Sequence, residues 1–306
     1  MEHLLLGLVL FAGTLAAGNP LQDLGPIKEK VLDMALTSFD DQYQGCMCMM
    51  EEELGELNHT EFAKKSIYAK FWTLAAAEWR TKEDHVPKPP ALRTEHAVAL
   101  MAYSLEIHEN NEQLYKEFDA AVREAGSSLR EYLDNFQFKA LHFLLTQAVK
   151  ILHKPRTCFN VFRGVGGIRF SAWHHDLVRF GQFASSSLNK KKAMDKFGND
   201  TFFFVKTCYG VPIWNFSFFP KEEEVLIPPY ERFEVTGITQ DGTSTHIHLQ
   251  SKGILSIYNC EWVKGDIPRD GPSIPLHQHH RDGGMGGDSI WGWGHGDSPA
   301  AAPVPS

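Results

Sequence analysis

The chain lacks a basic surplus. Lys and Arg number 30 against 38 Asp and Glu, leaving a formal charge of -8. Phosphate affinity comes mainly from Lys and Arg, so a general nucleic-acid binder is excluded and no nucleic-acid partner is expected. Long apolar runs are also scarce. The longest, residues 4–10 of the opening MEHLLLGLVLFAGTLAAG, falls short of the ~20 residues that a membrane-spanning helix needs. The final AAAPVPS carries no hydrophobic tail of the kind that signals a glycolipid anchor. Cysteines are few: Cys46, Cys48, Cys158, Cys208 and Cys260 form no CxxC pair and show no metal-ligand spacing. No Gly-rich dinucleotide fingerprint opens a helix, since GVGG at 164–167 lacks the spacing. HExxH and GxSxG are missing as well, which removes the support for a zincin or a serine hydrolase.

What is present describes a folded, exported protein. Hydrophobic residues make up 43% and charged residues 22% of the 306, a globular composition that excludes wholesale disorder and collagen-like repeats. Residues 1–18 read as a secretory signal cleaved near Ala17 or Gly18, although Glu2 and His3 stand where Lys or Arg is usual. The expected mature protein is soluble, monomeric, and extracellular or held in a secretory granule. In that oxidising setting four of the five cysteines should pair, and spacing alone leaves the pairing open. Three Asn-x-Ser/Thr sequons, at Asn58, Asn199 and Asn215, fit secretion. The last two sit beside apolar runs and look crowded.

Residues 19–154 read as helical. Ile27, Val31, Met34 and Ala35 recur at helical spacing, and Phe62, Ile67, Phe71, Leu74, Ala75 and Trp79 do so over a longer stretch for which Thr60 offers an N-cap. The run 97–103 (AVALMAY) is helix or strand. Further helices are marked by Leu114, Phe118, Ala121 and Val122, stopping near Gly126, and by Phe138, Leu141, Leu145, Ala148 and Leu152. From 155 to 265, runs such as CFNVFRG, TFFFVKTCYG and RFEVTGITQ alternate with Gly and Pro. These are strands, with 188–197 the one short helix expected among them. Helices first and strands second predict an α+β fold. Residues 266–306, rich in Gly, Pro, His and Asp, read as a disordered tail.

Three weak signals carry chemistry. Lys221-Glu222-Glu223-Glu224 abuts VLIPP. Strand geometry would put Glu222 and Glu224 on one face, where one carboxylate can stabilise developing positive charge and the other can hold a cation. On spacing alone, a solvated turn is the favoured reading. Arg163, at the end of a strand beside Gly164, can clamp phosphates through its planar fork, and Ser185 to Ser187 can form a polar strand edge. His246 and His248 share a strand face, and His277, His279 and His280 cluster in the tail. None has a partner set for metal, so no metal site is expected.

Together these signals are specific. FRGVGGIRF, FASSSL and FFPKEEEVLIPPYERFEV, with FDDQYQGC around Cys46, FKALHF from Phe138 and KFGNDTFF from Lys196, resemble the vertebrate arginine-specific mono-ADP-ribosyltransferases over roughly residues 38 to 262. The resemblance implies a helical half packed on a β-rich NAD-binding core. It implies NAD or NADP as substrate with no permanently bound cofactor, and arginine-containing proteins as acceptors. Arg163 becomes the NAD-binding arginine, Ser185 the first serine of Ser-x-Ser with Ser187 the second, Glu224 the catalytic glutamate, and Glu222 the acceptor-directed glutamate. Gln182, Ser217, Tyr103 and Phe197 become further dinucleotide contacts. The disulfides become Cys46–Cys260 and Cys158–Cys208, with Cys48 left over. Competing readings are an NAD glycohydrolase using the same site and a secreted binding protein on the same scaffold.

Overall fold

The computed structural model describes residues 27–107 and 112–264. The expected signal segment and the expected tail, including the His277 cluster, lie outside them. Helices dominate the first half: α1 (Met47–Lys64), α2 (Ser66–Lys82), α3 (Thr94–Ser104), α4 (Leu114–Ala125) and α5 (Lys139–Leu152). α3 is buried along its whole length from His96 and α5 from Lys139 to Val149, as their near-continuous apolar sequences require. A single amphipathic stripe would have left a solvent face. These helices enclose a core of Phe39, Tyr68, Trp79, Phe118, Phe138 and Phe143, each at 0% exposure.

The sequence from 59 to 79 reads as one helix capped by Thr60, but it is two. Thr60 lies inside α1, its hydroxyl donating to Glu56 Oε1 at 3.4 Å, and the break falls at Lys65, whose φ of -125° and ψ of 88° are extended. The helix expected around Ile27 to Ala35 is instead the strand β1 (Lys28–Val31). Two competitors defeat the helical spacing there. β1 pairs in parallel with β5 (Ile168–Ser171). The buried Arg179 guanidinium then takes the Met34 and Ala35 carbonyls, holding the end of the segment in a course where Ala35 has a left-handed φ of +47°.

Two short strands, β2 (Glu106–Ile107) and β3 (Glu112–Gln113), precede α4. The second half supplies β4 (Phe159–Val165), β6 (Leu177–Arg179), β7 (Ala184–Ser187), β8 (Thr201–Thr207), β9 (Val211–Pro212), β10 (Glu224–Ile227), β11 (Glu231–Asp241) and β12 (Ser244–Ile254), with α6 (Lys190–Phe197) after β7. Eight of them form one mixed sheet in the order β6-β11-β12-β8-β4-β7-β10-β9. β11 and β12 are joined through Gly242-Thr243, where Gly242 takes a φ of +61°, as a tight hairpin demands. The segregation of helices and sheet makes the class α+β.

The two halves are not separate bodies. Asp40 pairs with Arg179 and accepts the backbone N–H groups of Ile257 and Tyr258. Cys46–Cys260 ties the start of α1 to the segment after β12, and Cys158–Cys208 joins the start of β4 to the end of β8. Cys48 is free and exposed. Crowding at the sequons is not as expected: Asn199 and Asn215 are both exposed, whereas the Asn58 carboxamide accepts from Tyr68 at 2.8 Å. Among the described residues no helix is long and apolar enough to cross a membrane.

Candidate active site

Sheet order brings the three signals together. β4, β7 and β10 are adjacent, so Arg163, Ser185 and Glu224, distant in sequence, become neighbours. Register fixes the details. Ser187 is the partner of Glu224, and Ser185 that of Leu226, so the two serines and Glu224 share one face. Arg163 lies within β4, two residues before its end and not in a turn. Its Nη1 donates to the Ser185 carbonyl at 2.5 Å, and its guanidinium lies 5.9 Å from the centre of the Phe180 ring.

The turn before β10 differs from a strand. Pro220 to Glu222 form a 3-10 turn, and Glu223 takes a φ of +50°. A non-glycine residue in the left-handed region costs of order 1–3 kcal/mol, and here it re-aims the chain so that Glu222 and Glu224 reach one cleft while Glu223 stays off its wall. The shared side expected from strand alternation is thus reached by a strained turn. Ser187 holds that turn: its hydroxyl donates to the Glu222 carbonyl at 2.6 Å and accepts the Asn189 N–H at 3.0 Å.

The cleft encloses about 660 Å³ and is lined by Ser185, Ser187, Glu222, Glu224, Phe197 and Phe219, among others. A recess continuing from it adds Tyr103, Tyr115, Asp119 and Arg163. One wall is α6, seated directly on β4. A Cβ at Gly164 would meet the Gly198 carbonyl at 2.3 Å and the Ala193 carbonyl at 2.6 Å, so only glycine admits the helix this close. That approach delivers Lys196 and Phe197 to the cleft.

Burial sets the electrostatics. Glu224 is pushed up to about 7, chiefly by desolvation, against the opposing hydrogen bond from Ser185 and the charge of Lys196; Glu222 and Glu106 add to the rise. Asp119 is pushed up to about 8 by burial, with Arg163 and Arg123 pulling the other way. Lys196 Nζ stands 2.6 Å from Glu222 Oε2 and 3.3 Å from Glu106 Oε1.

The other sequence-predicted residues fare differently. Tyr103 donates to the Phe183 carbonyl at 3.0 Å and lies 3.5 Å from Asp119 Oδ2, inside the recess. Phe197 lines both cleft and recess. Gln182 donates to Asp119 at 3.0 Å and lines a neighbouring cavity of about 240 Å³ that also touches Arg163. Ser217 is not brought to the cleft wall: it is buried, and its hydroxyl accepts the Phe219 N–H at 3.0 Å, shaping the loop. Sequence reasoning missed Glu106, Asp119 and Lys196. Lys196 stood inside the KFGNDTFF motif. Glu106 and Asp119 had no signal beyond being acidic.

A mixed sheet that gathers an arginine, a serine pair and a glutamate pair at one cleft beneath a helical layer is the arrangement of an ADP-ribosyltransferase. The family model for NAD:arginine ADP-ribosyltransferases matches residues 32–256, and the chain belongs to that family. It is 50% identical over 265 residues to the erythroblast NAD(P)(+)--arginine ADP-ribosyltransferase of Gallus gallus, covering 86% of each chain. It is 45% identical to the GPI-linked NAD(P)(+)--arginine ADP-ribosyltransferase 1 of Homo sapiens, covering 89% of this chain and 86% of that one. The crystal structure of the eukaryotic mono-ADP-ribosyltransferase ART2.2 superposes with a TM-score of 0.66 at 37% identity, covering 75% of this chain and 98% of that one.

Proposed function

We propose that this protein cleaves the nicotinamide–ribose bond of NAD and transfers the ADP-ribose to an arginine side chain. The observation that carries this reading is a buried carboxyl, Glu224, that shares one cleft with Ser185 and Glu222 and a continuing recess with Arg163. Nicotinamide leaves NAD neutral from a cationic state, so its departure needs no general acid. The ribose left behind is oxocarbenium-like. Ionised Glu224 stabilises that charge in a site where burial has removed competing water. Ser185 holds the carboxylate in position, and its carbonyl orients Arg163, which binds the dinucleotide through its fork. The acceptor guanidinium stays protonated at neutral pH and is a poor nucleophile. Glu222 binds it and takes a proton as the new C–N bond forms.

The relatives named above are NAD(P)(+)-dependent, so NADP is an alternative donor. The protein works outside the cytosol, a setting that two disulfides support. Release into the medium, as opposed to the GPI linkage in the human relative's name, is part of this proposal. Expression of the full chain, with the medium compared before and after phosphatidylinositol-specific phospholipase treatment, tests that point; appearance only after treatment overturns it.

The reaction is tested with labelled NAD, with and without agmatine, measuring transfer and nicotinamide release separately. Glu224→Gln should abolish both. Glu222→Gln should remove transfer and leave hydrolysis; equal loss of the two refutes its acceptor role. Nicotinamide release that agmatine never diverts makes the protein a glycohydrolase.

A further inference from the structure

The cleft contains a cation of its own. Lys196 Nζ lies between two carboxylates, 2.6 Å from Glu222 and 3.3 Å from Glu106. It also stands 5.1 Å from the ring centres of both Phe197 and Phe219. Two acids and two aromatic faces around one positive group form a cation box. The three side chains are only partly exposed, Glu106 at 10%, Lys196 at 23% and Glu222 at 25%. The box therefore opens to the cleft yet is dry enough for charge to matter.

Its chemistry suits a guanidinium better than an ammonium. A planar fork can take one carboxylate through two parallel N–H bonds and still present an edge to a second, and its flat face stacks on aromatic rings. A lysine is a point charge on a flexible stem, able to swing out when α6 itself stays fixed. Glu106 arrives on the short strand β2, from outside the motifs that carry the family resemblance, and has no other ion pair among the described residues.

We propose that Lys196 is a resident stand-in for the acceptor: in the free enzyme it fills the guanidinium site built by Glu222, Glu106, Phe197 and Phe219, and the incoming arginine displaces it. This rests on the arginine-transfer reading above and names the residues that select the acceptor. Glu106 is a second acceptor-binding carboxylate. The exchange conserves charge. Lys196 helps hold Glu224 ionised, and a guanidinium in its place keeps a cation beside Glu224 when the bond to nicotinamide breaks. An empty box would instead leave Glu222, Glu106 and Glu224 repelling one another.

The test is steady-state kinetics with NAD and agmatine on the full chain. Lys196→Met keeps the stem and removes the competitor. The ratio of the agmatine KM to the NAD KM should fall roughly tenfold, the scale of one charge-assisted contact. Lys196→Arg, which restores a resident cation, should return the ratio towards wild type. Adding Glu106→Gln to the Lys196→Met background should raise it again by roughly tenfold. Lys196→Gln gives the same readout should the methionine variant fold poorly. A ratio that stays put or climbs in Lys196→Met, or one that Glu106→Gln does not move in that background, overturns the proposal. Wild-type protein that releases nicotinamide but never modifies agmatine refutes arginine transfer itself, a result distinct from either.

Discussion

Glu224 ties activity to stability, and its replacement by glutamine should show both. The carboxyl is raised from 4.5 to about 7 because burial disfavours its charge. At about 1.36 kcal/mol per pH unit, the ionised form costs the fold roughly 3 kcal/mol. The sign follows from proton counting. Between those two values the folded state binds more protons than the unfolded state, so the protonated carboxyl supports the fold at low pH, and that support is lost as pH rises through about 7. Glutamine resembles the protonated acid and can keep the Ser185 hydrogen bond. Glu224→Gln should therefore match wild type in stability below the ordinary carboxyl value and exceed it by roughly 3 kcal/mol at pH 8. Denaturant unfolding of both proteins across pH 4 to 8, roughly the window between the two values, measures the gap. Wild-type turnover should climb across the upper part of that window, because only the ionised carboxylate stabilises the oxocarbenium-like ribose. A variant less stable than wild type at pH 8, or a gap that does not change with pH, would falsify the idea that desolvation of this carboxyl outweighs the contacts that favour its charge.

Asp119 is protonated at neutral pH, being raised to about 8 by burial, so Asp119→Asn should bind NAD nearly as wild type does. Asp119→Ala strands Gln182 and should lose about 1–3 kcal/mol of stability with a higher NAD KM; identical behaviour of the two variants contradicts this. Gly164→Ala should displace α6 from β4, lower turnover and lower the melting temperature, since its Cβ would meet backbone carbonyls at 2.3 and 2.6 Å; unchanged kinetics refutes the close-approach argument. Losing Cys46–Cys260, whose partners are 214 residues apart, should cost roughly 5 kcal/mol on the chain-entropy model. Melting of a Cys46→Ser, Cys260→Ser double variant checks it, and a melting temperature equal to wild type's counts against that model.

Much of the fold was legible because local patterns and tertiary demands agree. The aromatic strands of the second half, the short helix expected over 188–197, and the helices ending near Gly126 and beginning after Phe138 all carry their periodicity in the chain. Legibility failed where a distant group outcompeted a local one. Helical spacing from Ile27 to Ala35 lost to pairing with β5 and to the guanidinium of Arg179, more than a hundred residues away. The run through Trp79 broke at Lys65 with no glycine or proline to announce it.

Motif and composition together determined the residue types available for chemistry here: an arginine, a serine pair and a glutamate pair, in that order, on an acidic chain. Only the tertiary structure decided which of them meet and in what state. Adjacency of β4, β7 and β10 gathers them, the left-handed Glu223 turns two carboxylates into one cleft, and burial lifts Glu224 towards neutrality. Lys196 and Glu106 joined the site for the same reason, because an ordinary charged residue acquires a specific partner only when folding removes the water that would otherwise screen it.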